Sequence, residues 1–132
     1  MPVQRTPEQE AVVKNRGGGL LVSAAAGSGK TRVLVERLLD RILTEGKNVD
    51  EFLIITFTRA AAEELRGRIG QELAQALAAQ PDNGHLRRQS GKLYQTQIST
   101  IHAFCTVLLR QWGHLLDVPA DFALCEEEAQ VL

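Results

Sequence analysis

Apolar residues in this chain fall into two patterns that take turns: short unbroken runs, and stripes at helical spacing. Leu20-Leu21-Val22 is a run, predicted as a strand, and Gly17-Gly18-Gly19 before it punctuates the end of a first helix. From Lys30 to about Leu43, residues Leu34, Leu38 and Ile42 with Val35 and Leu39 make one apolar helical face. Phe52-Leu53-Ile54-Ile55 is again unbroken, as a strand covered on both faces of a parallel sheet should be. An alanine-rich helix is expected from Arg59 to Ala79, with Ala61, Leu65, Ile69, Leu73 and Leu77 on one stripe. Glu64 and Arg68 are spaced to pair on its wet side. The turn Pro81-Asp82-Asn83-Gly84 leads to a short polar helix through Leu86 and Leu93. Gln97-Ile98-Ser99-Thr100 then reads as a third strand, feeding a helix from Ile101 to about Trp112. Alternation of this kind predicts the α/β class: a parallel sheet flanked by helices, with right-handed crossovers.

The chemistry concentrates in Ala24-Ala25-Ala26-Gly27-Ser28-Gly29-Lys30-Thr31, between a predicted strand and a predicted helix. That is the context of a phosphate-binding P-loop. Gly27 and Gly29 let the backbone bend until successive N–H groups face one anion, and the helix behind points its positive end at the same place. Lys30 supplies a point charge for the β- and γ-phosphates, and the Thr31 hydroxyl suits Mg²⁺. A chance glycine loop beside a lysine would not also have the strand before it, the helix after it and the G-K-T triplet. Nucleotide binding follows.

The form A-x-x-G-x-G-K-T, with Ala24 where the general pattern has Gly, resembles the superfamily 1 DNA helicases of the UvrD/Rep/RecB group. Thr6-Pro7-Glu8-Gln9 is similar to their Q motif, and Thr56-Phe57-Thr58-Arg59-Ala60-Ala61-Ala62-Glu63-Glu64-Leu65 to motif Ia. Ile98-Ser99-Thr100-Ile101-His102-Ala103-Phe104-Cys105 resembles motif Ib. Within the group, Val22-Ser23-Ala24-Ala25-Ala26 with Val33-Leu34-Val35-Glu36-Arg37, and Leu86-Arg87-Arg88-Gln89 leading to Ile98-Ser99-Thr100, resemble the AddA helicase–nucleases. The resemblance covers nearly the whole chain and implies a partial RecA-like P-loop NTPase domain over residues 1–132. It implies ATP and Mg²⁺ as cofactors, held by Gln9, Ala24, Ala25, Ala26, Gly27, Ser28, Gly29, Lys30, Thr31 and Arg32, with Lys30 the catalytic lysine and Thr31 on the metal. It implies contacts to single- and double-stranded DNA from Thr56, Phe57, Thr58, Arg59, Thr100 and His102, and a partner of the AddB type. The parent function would be ATP-driven translocation and unwinding in double-strand break repair.

Plainer readings compete at several of these positions. Thr6-x-x-Gln9 is also a capping box, with Pro7 at the first helical position. On the residues alone this is as good as adenine recognition, and the resemblance favours adenine. Phe57 as a core residue and Thr58 as an N-cap compete with DNA contact. Phe104 is expected to pack in the core with Leu108. Cys105, in an apolar run, reads as a small core residue, and Cys105 with Cys125 matches neither a disulfide framework nor a zinc spacing.

Composition narrows the partners. At 132 residues, 44% hydrophobic and 23% charged, the chain is expected to be one globular domain with no membrane span or signal peptide; its cysteine usage fits a reducing cytoplasm, and the resemblance implies a bacterial, nucleoid-associated protein. The net charge is −1, so no global basic field attracts nucleic acid. All 15 basic residues lie at or before Arg110, whereas Asp117, Asp121, Glu126, Glu127 and Glu128 follow it. DNA contact therefore depends on placed residues.

A P-loop ATPase also needs a strand ending in acids, Asp for Mg²⁺ and Glu for the attacking water. Asp50-Glu51 precedes a strand, Leu115-Leu116-Asp117 is too short, and the resemblance puts only a helix start at Phe122–Glu127. With Walker B absent and Val131-Leu132 falling mid-helix, the expectation is half of a first motor domain, inactive alone and self-associating. A P-loop kinase would need a substrate lid and a carboxylate for its acceptor, and neither is present. A non-catalytic nucleotide- or DNA-binding module is the other alternative, as is a UvrD/Rep-type helicase without a nuclease.

Overall fold

In the computed structural model, residues 4–119 and 121–124 are described. Helix α1 spans Pro7–Lys14, α2 Lys30–Glu45, α3 Arg59–Ala79, α4 Gly84–Lys92 and α5 Ile101–Trp112. Strands β1 (Leu53–Thr56) and β2 (Gln97–Thr100) pair in parallel, with Ile54 opposite Ile98 and Thr56 opposite Thr100. Local chemistry sets the helix starts. Thr58, Asn83 and Thr100 each accept a backbone N–H from the first turn of the helix they precede. Helix α2 ends where Gly46 turns left-handed at φ 66°.

The core lies on one face of the sheet. Val35, Leu38, Leu39 and Ile42 of α2 pack with Leu65, Ile69 and Leu73 of α3, and with Ile54, Ile98, Val49 and Leu86. A buried polar clamp closes one end of it. Gln89 accepts the Val49 N–H at 2.9 Å and donates to Asn48 Oδ1 at 2.8 Å, so both ends of its amide are used. Arg66 of α3 donates to the carbonyls of Leu93 (3.3 Å), Thr96 (3.3 Å) and Ile98 (3.1 Å), pinning the approach to β2. The predicted Glu64–Arg68 pair is present.

Several expectations need correction. Leu20–Val22 is no strand: the described sheet contains only β1 and β2, and without a neighbour to bond a strand cannot form a ladder. Leu21 is 94% exposed. The β1 strand is buried on one side only, because Leu53 and Ile55 face outward while Ile54 is in the core. Leu34 is exposed and Val33 buried instead, and on α3 Ala62 replaces Ala61 in the core. Cys105 is exposed and Phe104 only half-buried, because no described element packs over the outer side of α5. Cys125, with Glu126 and Glu127, lies outside the described residues. Among the described residues, no helix is long and apolar enough to cross a membrane.

Helix α1 is attached differently from the rest. Val13 is its one buried apolar residue, and ion pairs add to the hold on α2. Lys14 and Arg16 both pair with Asp40, Arg16 with Glu45, and Arg5 with Glu36. Arg37 donates to the Val12 carbonyl. Burial works against the charged forms of Asp40 and Glu36. Hydrogen bonds from Lys14 and Arg16, and from Arg32 and Arg5, outweigh it and hold both carboxyls below their usual range. Depressed folded-state values mean that this stabilisation is complete above the ordinary carboxylate range, about pH 4, and is lost as pH falls through the folded values. The melting temperature should therefore drop on acidification below about pH 4, and Glu36→Gln/Asp40→Asn should flatten that drop. Circular dichroism melts at stepped pH check it; an unchanged slope in the double variant would refute the assignment.

Candidate nucleotide-binding site

The Ala24–Lys30 loop turns twice through the left-handed region, at Gly27 (φ 76°) and Gly29 (φ 84°). Either position would strain any residue with a Cβ. A Cβ at Gly27 would meet nothing within 4 Å, so the conformation, not crowding, requires glycine there. The turn closes with the Ser28 N–H on the Ala25 carbonyl (3.3 Å), and α2 begins with Val33 N–H on the Gly29 carbonyl (2.9 Å). Lys30 folds back over the loop, donating to the carbonyls of Ala24 (2.6 Å) and Ala25 (2.9 Å). Two of the three ammonium donors are used, which places the positive charge at the loop and the helix N-terminus. Thr31 stands exposed in the first turn of α2 with no side-chain hydrogen bond among the described residues. These groups fit a phosphate chain and its Mg²⁺: a cation, a free hydroxyl and a glycine turn around one helix end.

Gln9 faces this loop. The capping box is formed: the Gln9 N–H donates to Thr6 Oγ1 (3.3 Å), and Gln9 Oε1 accepts from the Thr6 N–H (3.1 Å). At the same time, Gln9 Nε2 donates to the Ser28 carbonyl at 3.3 Å. The cap thus uses one end of the amide and the phosphate loop the other, so meeting a base would require Gln9 to release one of them. A cleft of about 510 Å³ opens between α1 and the loop, lined by Thr6, Glu8, Gln9, Val12, Val22, Ser23, Ala24, Ser28, Lys30, Val33 and Leu34. The exposure of Leu34 has its explanation there. Arg32 points elsewhere, onto Glu36 at 2.6 Å, and lines a second cleft of about 740 Å³ with Arg5, Glu10 and Glu72.

The remaining predicted residues gather at the carboxyl edge of the sheet, because parallel pairing brings Thr56 and Thr100 side by side there. Phe57 is fully exposed, at 102%, and is not a core residue. Arg59 and His102 are exposed, with no side-chain partner among the described residues. Thr58 and Thr100 are N-caps whose hydroxyls accept from Ala61 N–H (3.1 Å) and Ala103 N–H (3.3 Å), and each keeps its proton to donate. Thr56 has committed its proton to the Thr58 carbonyl at 3.0 Å. Asp50 and Glu51 sit before β1, at the opposite edge, and are engaged by Lys92 and by Lys47 and Asn48. The backbone N–H of Asn48, then Lys47, hold the Glu51 carboxyl down to about 2. Among the described residues, no cluster of three metal-ligating side chains exists.

Sequence reasoning passed over Arg5 and Glu36. The i,i+4 spacing of Arg32 and Glu36 was a readable signal, whereas Arg5 meets Glu36 across 31 positions and carries none.

The family described as the UvrD/REP helicase N-terminal domain matches residues 5–132. The chain is 48% identical over 129 residues to an ATP-dependent helicase/nuclease subunit, of the AddA type, from Lachnoclostridium phytofermentans, covering 96% of this chain and 9% of that protein. Identity to the protein of the same name from Oceanobacillus iheyensis is 44% over 127 residues, covering 95% of this chain and 10% of that protein. The Staphylococcus aureus strain MRSA252 protein of that name is 42% identical over 127 residues, covering 96% of this chain and again 10% of that protein.

Two substitutions test the site. Lys30→Ala should weaken Mg²⁺–ATP binding more than about tenfold, roughly 1.4 kcal/mol, while the circular dichroism spectrum stays unchanged. Calorimetric titration checks it, and unchanged affinity or an unfolded variant defeats it. Gln9→Ala should narrow the preference for ATP over GTP and leave tripolyphosphate affinity alone. A loss of about 1 kcal/mol in stability with the ATP preference intact would instead make Gln9 a cap and nothing more.

Proposed function

Since the chain belongs to the UvrD/REP helicase N-terminal domain family, we propose that it is the ATP-binding segment of a DNA translocase of the AddA helicase–nuclease type. The whole protein would use ATP to move along single-stranded DNA and open duplex during double-strand break repair, in the bacterial cytoplasm, with a partner of the AddB type. Lys30 holds the β- and γ-phosphates, the loop N–H groups cradle them, and the Thr31 hydroxyl takes one Mg²⁺ position. Gln9 serves the nucleoside side. Mg²⁺ held beside Thr31 would supply charge neutralisation to the phosphate chain. The Walker B carboxylates that complete this chemistry are proposed to come from the remainder of the whole protein. Asp50 and Glu51 cannot substitute, being at the far edge of the sheet and already engaged.

The observation that best supports the DNA half of the proposal is the exposure of Phe57 next to Arg59, which has no side-chain partner among the described residues, at the edge where Thr56 and Thr100 meet. An aromatic ring standing wholly in water has no packing role, whereas a single strand offers bases to stack on it and phosphates to meet Arg59, Thr58, Thr100 and His102. Such contacts carry no base code, so binding should be salt-sensitive and indifferent to sequence.

In the full-length protein, Phe57→Ala and Arg59→Ala should each reduce DNA-stimulated ATPase by about tenfold, the scale of losing one stacked base, and leave basal ATPase nearly intact. Steady-state assays with and without oligonucleotide read the difference. Equal loss of both activities would place these residues in the fold and not on DNA.

A further inference from the structure

We propose that Glu36 is a positioning residue of the nucleotide pocket: by bridging Arg5 and Arg32 it holds the α1 wall, and Gln9 with it, at a set distance from the phosphate loop. This rests on the nucleotide reading of the site. Each arginine takes a separate oxygen of the carboxylate: Arg5 Nε donates to Oε2 and Arg32 Nε to Oε1, both at 2.6 Å. The Glu36 side chain is 17% exposed, so these bonds are shielded more than an ordinary surface pair. Arg5 immediately precedes the Thr6–Gln9 capping box, and Arg32 immediately follows Lys30 and Thr31. One carboxylate therefore joins the two segments that form opposite walls of the cleft.

Among the described residues, no apolar side chain is buried at the amino end of α1 to take over that task. The single buried residue of α1, Val13, lies near its carboxyl end, where Arg37, Asp40 and Glu45 also hold the helix or the residues just after it. Among the described residues, the bonds from its amino end to α2 and the loop include Arg5–Glu36 and the 3.3 Å bond from Gln9 to the Ser28 carbonyl. A glutamine at position 36 keeps the shape but has a single acceptor oxygen and no charge. It would loosen the hold on Arg5, with Glu10 still paired to that guanidinium. The amino end of α1 would then swing, and Gln9 would lose its register with the loop. Lys30 and the glycine turns, held by the loop's own bonds, would stay in place.

The test uses calorimetric titration of the chain with Mg²⁺–ATP, Mg²⁺–GTP and Mg²⁺–tripolyphosphate. Glu36→Gln should weaken ATP by about tenfold, the size of an ordinary pairwise coupling, and narrow the ATP-over-GTP preference, with tripolyphosphate affinity unchanged. Arg5→Gln should do the same, the double variant should add nothing further, and Glu36→Asp should restore part of the preference. Asp40→Asn, which frees only the other end of α1, should lower the melting temperature without altering the preference. If Glu36→Gln retains the wild-type ATP-over-GTP ratio, or loses tripolyphosphate as severely as ATP, the positioning role is wrong. Should Glu36→Gln not fold, Arg5→Gln carries the same comparison. A wild-type chain with no ATP binding that Lys30→Ala removes would sink the nucleotide reading, and this inference with it.

Discussion

Ile54 and Ile98, opposite one another across the parallel pair, are buried in one core with Leu65 and Ile69 of α3. The carboxyl edge of the sheet depends on that contact. Parallel strands cannot be joined by a tight turn, so the chain must leave β1, cross over and return to the start of β2. Helices α3 and α4 make this crossing, and α3 packs on both strands as it does so. One result is that both strands end at the same edge, where two helices begin and their N–H groups and capping threonines collect. Arg66, reaching three carbonyls on the way into β2, holds the start of that strand against α3.

The nucleotide side is built by other means. The loop is shaped by two glycine turns, and its facing wall is a helix of two turns attached in part by charge. A wall held by carboxylates and guanidinium groups can move by small amounts without disrupting a packed core, which a helix buried in the Ile69–Leu73 layer could not do. Gln9, bonded to its own cap and to the loop together, follows the position of that wall directly.

The parts of this arrangement that were legible in the sequence are those governed by short spacings. The stripe Leu65, Ile69, Leu73 and the N-cap Thr58 placed α3, with the stop at Gly46 close to the predicted end of α2. The G-x-G-K-T turn announced its own geometry. What failed depended on neighbours. Leu20–Val22 has a strand's composition, but a ladder needs a second strand beside it. Cys105 and Phe104 have core composition, but burial needs something above them. The choice between Phe57 in the core and Phe57 in water turned on which way a strand end faced, and local pattern contains no such information. The Arg5–Glu36 pair is a long-range match of two surface charges, invisible to any periodicity.

The buried residues from Val35 to Ile98 form a stretch of chain with its polar clamp, Asn48 to Gln89, inside it. On a ribosome, where domains form from the amino end as synthesis proceeds, this layout sets a timetable. Helices α2 and α3 can meet early, but β1 has no parallel partner until residues 97–100 emerge. For that interval, Ile54 has helices to pack against while the backbone of β1 remains bonded to water. Among the described residues, Ile98 is the last of this core to leave the exit tunnel, and the parallel pair cannot close before it does.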